Sequence, residues 1–178
     1  MSLESIDTAL GIAGAVTTLG LCATGSALGV GRAAAAAIGA WKKCYAQGKS
    51  APYILLSYVG APLTQTLYGM ILMFVMTGIV KNPHIPGSGL AVLILGVFAG
   101  LGIGFSAWLQ GIAGAGAADA QGETGSGLTN NLAALGTVET VAIFTMVFTL
   151  IAAGNLKMKA DDTAETPDLP VAIGQTAD

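Results

Sequence analysis

The sequence predicts an all-α membrane protein with four transmembrane helices, built as a duplicated helical hairpin and assembling into a homo-oligomeric ring. Of its 178 residues, 53% are hydrophobic and 10% are charged, whereas soluble domains have ~25% charged residues. An α-helix needs ~20 apolar residues to cross a bilayer, and the strands of a membrane barrel would be only ~10 residues long. Four longer stretches have no charged residue except Glu139: residues 8–31, 50–80, 90–118 and 128–156.

These stretches divide the chain into two helical hairpins, a turn and a tail. The first hairpin covers residues 1–80, with helices over about 8–40 and 52–80, and the second covers 90–154, with helices over about 90–118 and 129–154. Residues 81–89 form the outer turn between them, and the acidic residues 155–178 form a disordered tail. Because the helices account for almost the whole chain, we expect no soluble catalytic domain.

Positive charge is concentrated around the first loop. Four of the seven basic residues are Arg32, Lys42, Lys43 and Lys49. Loops with an excess of Lys and Arg lie on the cytoplasmic side of a membrane. Both termini are therefore expected on the outer side.

The two halves of the chain are related by an internal repeat. Helices one and three carry small residues spaced four apart, such as Gly25 and Gly29, which let helix backbones approach closely. Helices two and four are bulkier. The aligned segments are 25–33 with 105–113, and 64–68 with 138–142. Since one unit of a repeat cannot bury its own apolar face, we expect a ring in which the small-residue helices line the inside.

Glu139 is the only acid within the four apolar stretches, and its counterpart in the first hairpin is Gln65. On insertion scales a mid-membrane acid costs roughly 2.5–3.5 kcal/mol, and such a residue indicates a functional site. No basic residue of the chain is expected at this depth. The carboxyl group must therefore be protonated or paired with a bound cation.

Several other polar side chains are predicted to converge on Glu139. Positions 61, 64, 65 and 68 share one face of helix two, and Pro62 frees a backbone carbonyl, which a cation can bind. Gln110 and Glu139 each lie about 14 Å deep from the same end. As plain interhelical hydrogen bonds, such groups would contribute only about 0.6 kcal/mol each. The predicted set comprises Thr64, Gln65, Gln110 and Glu139, with Tyr68 donating to Glu139.

The number of oxygen atoms in this set bears on which ion is carried. A proton carrier needs only the carboxyl group and one partner for its hydroxyl. A cage of several oxygen ligands suits a hard cation. The sequence therefore favours Na⁺, with H⁺ as the alternative.

Three segments carry a resemblance to a known family: PLTQTLYG at residues 62–69, LQG at 109–111 and VE at 138–139. With them, residues 10–155 resemble the proteolipid rotor subunit (the K or c subunit) of V/A-type rotary ATPases, especially the sodium-translocating bacterial members. The resemblance implies four helices with one ion-carrying acid in the last of them.

The resemblance also implies residue roles. Glu139 would carry the ion together with Thr64, Gln65 and Gln110, and the backbone carbonyl of Ala61 would complete the ligand set. Tyr68 would bond to Glu139 and hold it in place.

The implied partners follow from a rotary machine in the plasma membrane. They are identical subunits in a ring, a stator membrane subunit that supplies an arginine, central-stalk subunits at the cytoplasmic loops, and membrane lipid, with no nucleic acid. The chain itself would catalyse no bond chemistry. Ion movement would be coupled to rotation and to ATP hydrolysis or synthesis in the soluble head.

Two other classes of protein share some of these features. A small proton-coupled secondary transporter could use Glu139 as a switch, but it would need a roomy, aromatic-lined pocket, and helix four has no Trp or Tyr near Glu139. A structural or channel-forming protein with four spans would not depend on Glu139 for transport.

Overall fold

The computed structural model is entirely helical over the residues that it describes, which are 2–82, 85 and 87–164, without the side chains of 157–164. The elements in chain order are α1 (Leu3–Ala46), α2 (Leu55–Gly60), a 3₁₀ turn (Ala61–Leu63), α3 (Thr64–Val80), α4 (Gly89–Thr124) and α5 (Leu128–Ala164). Helix α2, the 3₁₀ turn and α3 run continuously and form one span. Four helices are long and apolar enough to cross a membrane: Leu3–Ala46, Leu55–Val80, Gly89–Thr124 and Leu128–Leu156. The predicted fold class is confirmed, and the chain is a multi-pass membrane protein.

The helices extend beyond the apolar stretches from which they were predicted. Helix α1 has 44 residues and is therefore about 66 Å long, whereas the hydrocarbon core is about 30 Å thick. Helix α5 continues past Gly154 to Ala164, because no proline or glycine follows Gly154 until Pro167. Residues 155–164 thus have a helical backbone, and the predicted disorder of 165–178 lies outside the described residues.

Helices α1 and α4 make the most extensive interhelical contact in the described chain. A methyl group at Gly25 would overlap the backbone of Gly104, and one at Gly111 would overlap the backbone of Gly29. The two backbones therefore touch without intervening side chains, as the spacing of small residues predicts. This pair is the scaffold of the bundle, and α3 and α5 pack against it.

The ends of the bundle are fixed by polar contacts. At the outer end, Asp7 Oδ1 accepts a hydrogen bond from the backbone N–H of Gly89 at 2.9 Å, which caps the start of α4. At the opposite end, Lys43 Nζ lies 2.9 Å from Asp119 Oδ1 and 2.7 Å from Glu123 Oε1. These ion pairs are exposed to solvent and add little stability. They join the C-terminal ends of α1 and α4, while Asp7 joins the N-terminal end of α4 to α1.

The glycine contacts predict a difference between two substitutions in α1. Gly25→Ala should destabilise the protein by about 1–3 kcal/mol, because the added methyl has no space. Gly20→Ala meets nothing within 4 Å and makes the same change in helix propensity. The measurement is the thermal midpoint of the detergent-extracted protein. Equal midpoints for the two variants would contradict close backbone packing at Gly25.

Candidate ion-binding site

The carboxylate of Glu139 faces α3 and α4 and accepts hydrogen bonds from both. Thr64 Oγ1 and Tyr68 OH donate to Glu139 Oε1 at 2.6 and 2.8 Å. Gln110 Nε2 lies 3.4 Å from Oε2, which is long for a hydrogen bond. One carboxylate oxygen is therefore held by two hydroxyls, and the other has a single weak contact.

Two buried glutamines form a chain of hydrogen bonds beside the carboxylate. Gln65 and Gln110 are both fully buried. Gln65 Nε2 donates to Gln110 Oε1 at 2.7 Å, and Gln110 Nε2 donates to the backbone carbonyl of Leu135 at 3.1 Å. A buried amide left without partners costs free energy. The pair thus links α3 to α4 and α4 to α5 at the level of Glu139.

Four oxygen atoms gather on the α3 side of the site. Thr64 Oγ1 lies 3.2 Å from the backbone carbonyl of Ala61, 3.2 Å from Gln65 Oε1 and 2.6 Å from Glu139 Oε1. A hydroxyl has one hydrogen to donate, and the shortest of these contacts is to Glu139. The carbonyl oxygens of Ala61 and Gln65 are then close to a third oxygen with no hydrogen between. Such a grouping of oxygens fits a hard cation.

The local backbone places these oxygens. Pro62 has no N–H to donate to the carbonyl four residues earlier, that of Tyr58, and the helix tightens into the 3₁₀ turn Ala61–Leu63. Regular α-helix resumes at Thr64. The carbonyl of Ala61 therefore points to the same side as Thr64 Oγ1. In a membrane, irregular backbone of this kind is tolerated where protein groups or a bound ion satisfy it.

All six residues predicted from the sequence meet in the structure. Ala61, Thr64 and Gln65 supply oxygens around one point, and Tyr68 donates to Glu139 as expected. Gln110 has an additional task, since its amide is engaged at both ends by Gln65 and Leu135.

One contact at the site was not predicted. Ser106 Oγ donates to the backbone carbonyl of Val138 at 2.9 Å, one residue before Glu139. The repeat holds the signal, because Ser106 aligns with Ser26 in the first hairpin.

The surroundings of Glu139 contain no positive charge in contact with it. Among the side chains that the structure describes, ion pairs join only Lys43 to Asp119 and Glu123. No cluster of three His, Cys, Asp or Glu side chains occurs within the same part of the chain. The candidate site has a different composition, with one carboxylate and several neutral oxygens. It therefore carries a single negative charge, which is balanced by one monovalent cation or one proton.

Comparison with known families agrees with this site. Residues 93–152, one third of the chain, match the family model for the C subunit of ATP synthase. The matched segment contains Gln110 and Glu139, whereas Ala61, Thr64 and Gln65 lie in the first hairpin, outside it. No curated protein matches the chain. The match supports a proteolipid of an ATP synthase family, that is, an ion-translocating subunit of a rotor ring assembled from identical copies with other ATPase subunits.

The amide chain predicts a large effect of Gln110→Met on stability. Methionine has a similar volume, but its thioether leaves Gln65 Nε2 and the carbonyl of Leu135 without their partner. Each unsatisfied buried group costs about 1–3 kcal/mol. The matched control is Gln121→Met in the same helix, which loses one 3.3 Å bond from Tyr58. The thermal midpoint in detergent should fall further for Gln110→Met, and a larger fall for Gln121→Met would contradict this role.

Proposed function

We propose that this chain is the rotor-ring subunit of a V/A-type rotary ATPase and carries Na⁺ across the plasma membrane on Glu139. The observation that carries the proposal is the grouping of the Ala61, Gln65 and Glu139 oxygens around Thr64 Oγ1, with only one hydrogen among their contacts. A proton needs one acceptor, whereas Na⁺ takes several oxygen ligands.

The ligand set would consist of side-chain oxygens and one backbone carbonyl. Thr64, Gln65 and Glu139 would provide side-chain oxygens beside the carbonyl of Ala61. Gln110 Oε1 accepts one hydrogen bond from Gln65 and keeps a second lone pair for the cation. Tyr68 would hold Glu139 in place through its 2.8 Å hydrogen bond. The charge of the ion and that of Glu139 would cancel, which makes a closed site compatible with hydrocarbon.

The position of Glu139 suits exchange of the ion at a partner subunit. Of the most apolar window in each span, 17% is buried within the protomer for α5 and 44% for α4. Glu139 therefore lies on the most peripheral helix and is itself half-buried. A stator arginine could approach from that side, open the hydrogen bonds of Thr64 and Tyr68, and release the ion into a half-channel.

The coupling to rotation would be electrical. Moving one charge through the membrane potential is worth about 2.3 kcal/mol per 100 mV. Several ions per turn then match the work of ATP turnover in a soluble head, reached through central-stalk subunits at the cytoplasmic loops. In this scheme the loops 47–54 and 125–127 face the cytoplasm and both termini face outward. The chain itself makes and breaks no covalent bond.

Na⁺ should protect Glu139 from a hydrophobic carbodiimide at fixed pH. By mass action the labelling rate falls by a factor of about 1 + [Na⁺]/Kd when bound ion blocks the carboxyl group. The measurement is the labelled fraction by mass spectrometry over a Na⁺ series, with choline at equal ionic strength as the salt control. Glu139→Gln should remain unlabelled throughout. Labelling of the original protein that ignores Na⁺ but falls with rising pH would support the H⁺-carrying version instead.

The native mass of the detergent-extracted protein should be that of a closed ring of many copies. A ring buries the exposed apolar surface of α5 against neighbouring subunits, which a lone protomer cannot do. Native mass spectrometry gives the copy number directly. A monomer or dimer that remains after extraction in several mild detergents would contradict the rotor and favour a secondary transporter.

A further inference from the structure

Ser26, in the middle of α1, carries a hydroxyl that the packing leaves without a use. It is 2% exposed, and its Oγ has no hydrogen-bond partner among the described residues. In a helix, a Ser or Thr hydroxyl commonly bonds to the carbonyl four residues earlier. Thr18, Thr24 and Thr77 make that bond at 2.7–2.9 Å. Ser26 does not, and a buried polar group of this kind requires an explanation.

The packing register of α1 against helix two places Ser26 opposite Gln65. A Cβ built on Gly69 would lie 2.7 Å from Cys22 Cβ, and one built on Gly29 would lie 2.9 Å from Pro62 Cβ. The two helices are thus antiparallel. Ser26 is four residues after Cys22, and Gln65 is four residues before Gly69, so both occupy the same level of this interface.

Gln65 has an amide hydrogen to spare. An amide nitrogen carries two hydrogens, and Gln65 Nε2 donates one of them to Gln110 Oε1. That is the one acceptor of Gln65 Nε2 among the described residues, although the side chain is fully buried. A hydroxyl without a partner and an amide hydrogen without an acceptor therefore lie at one level of one interface.

The duplicated half shows the same serine in use. Ser106 occupies the equivalent position in α4 and reaches across to α5, where it bonds to the carbonyl beside Glu139. Ser26 and Gln65 are the counterparts of Ser106 and Glu139. In both hairpins, the serine on the small-residue helix thus lies next to the residue at the ion-carrying position.

We propose that Ser26 is a positioning residue of the ion site, whose hydroxyl accepts the second amide hydrogen of Gln65 directly or through one water. This bond fixes the amide so that Gln65 Oε1 stays beside Thr64 and Glu139, where it is a ligand. Without it, the amide is held on one side only and its oxygen can rotate away from the cation. The inference rests on the Na⁺ site proposed above.

Ser26→Ala tests the proposal through Na⁺ protection of Glu139 in the assembled ring. The Na⁺ concentration that halves the carbodiimide labelling rate should rise about 3- to 10-fold, the range expected for one lost buried hydrogen bond. The labelling rate without Na⁺, the thermal midpoint and the native mass should not change, which separates a positioning role from a structural one.

Ser88→Ala is the matched control. Ser88 is also a buried serine without a hydrogen-bond partner among the described residues, but it precedes α4 about 33 Å along the helix from Gln110. It should leave the half-protecting concentration unchanged.

Three results would overturn the inference. The first is an unchanged half-protecting Na⁺ concentration in Ser26→Ala while the original protein is protected. The second is an equal shift in Ser88→Ala, and the third is a shift accompanied by a lower thermal midpoint. If Na⁺ fails to protect the original protein, the proposed sodium site is wrong and the role of Ser26 falls with it.

Discussion

The structure depends on one constraint, which is that polar groups inside hydrocarbon must find their partners within the protein. Glu139 meets it with two hydroxyls on one oxygen, and the two glutamines meet it by bonding to each other and to the backbone of α5. The same constraint explains why the helix interruption lies beside the site. The backbone irregularity at Pro62 is tolerable where the freed oxygens have a local use, and it would be costly on a lipid-facing surface.

The bundle combines a rigid pair of helices with a peripheral one. Helices α1 and α4 are in backbone contact at several glycines, so neither can shift without the other. Helix α5 is bound mainly through the polar contacts of Gln110, Ser106 and Glu139 and through its packing on α4. This division places the ion-carrying residue on the least enclosed helix, while most of its hydrogen-bond partners are on better-enclosed ones.

Much of this could be predicted from the sequence because hydropathy and helical period are strong signals in a membrane. The four spans, the close approach of the small-residue helices and the membership of the site followed from them. The depth of Gln65 was uncertain by a turn when helix two was taken to start at Pro52. The helix starts at Leu55, and the 3₁₀ turn adjusts the rise, so Gln65 meets Gln110. The direction of each amide could not be predicted, because it depends on donors and acceptors from three helices at once. Nor could the bond of Ser106, since a helical serine more often bonds to its own backbone.

The replacement of a second acid by Gln65 sets the gearing of the proposed machine. A ring of such chains carries one charge for every four helices, half as many as a ring of the same size whose hairpins each kept their acid. Each full turn then moves fewer ions for the same number of ATP molecules. The chemical work is shared among fewer charges, and each ion can be driven against a steeper gradient. A single amide at position 65 thus favours a pump that reaches high gradients over a generator that runs on shallow ones.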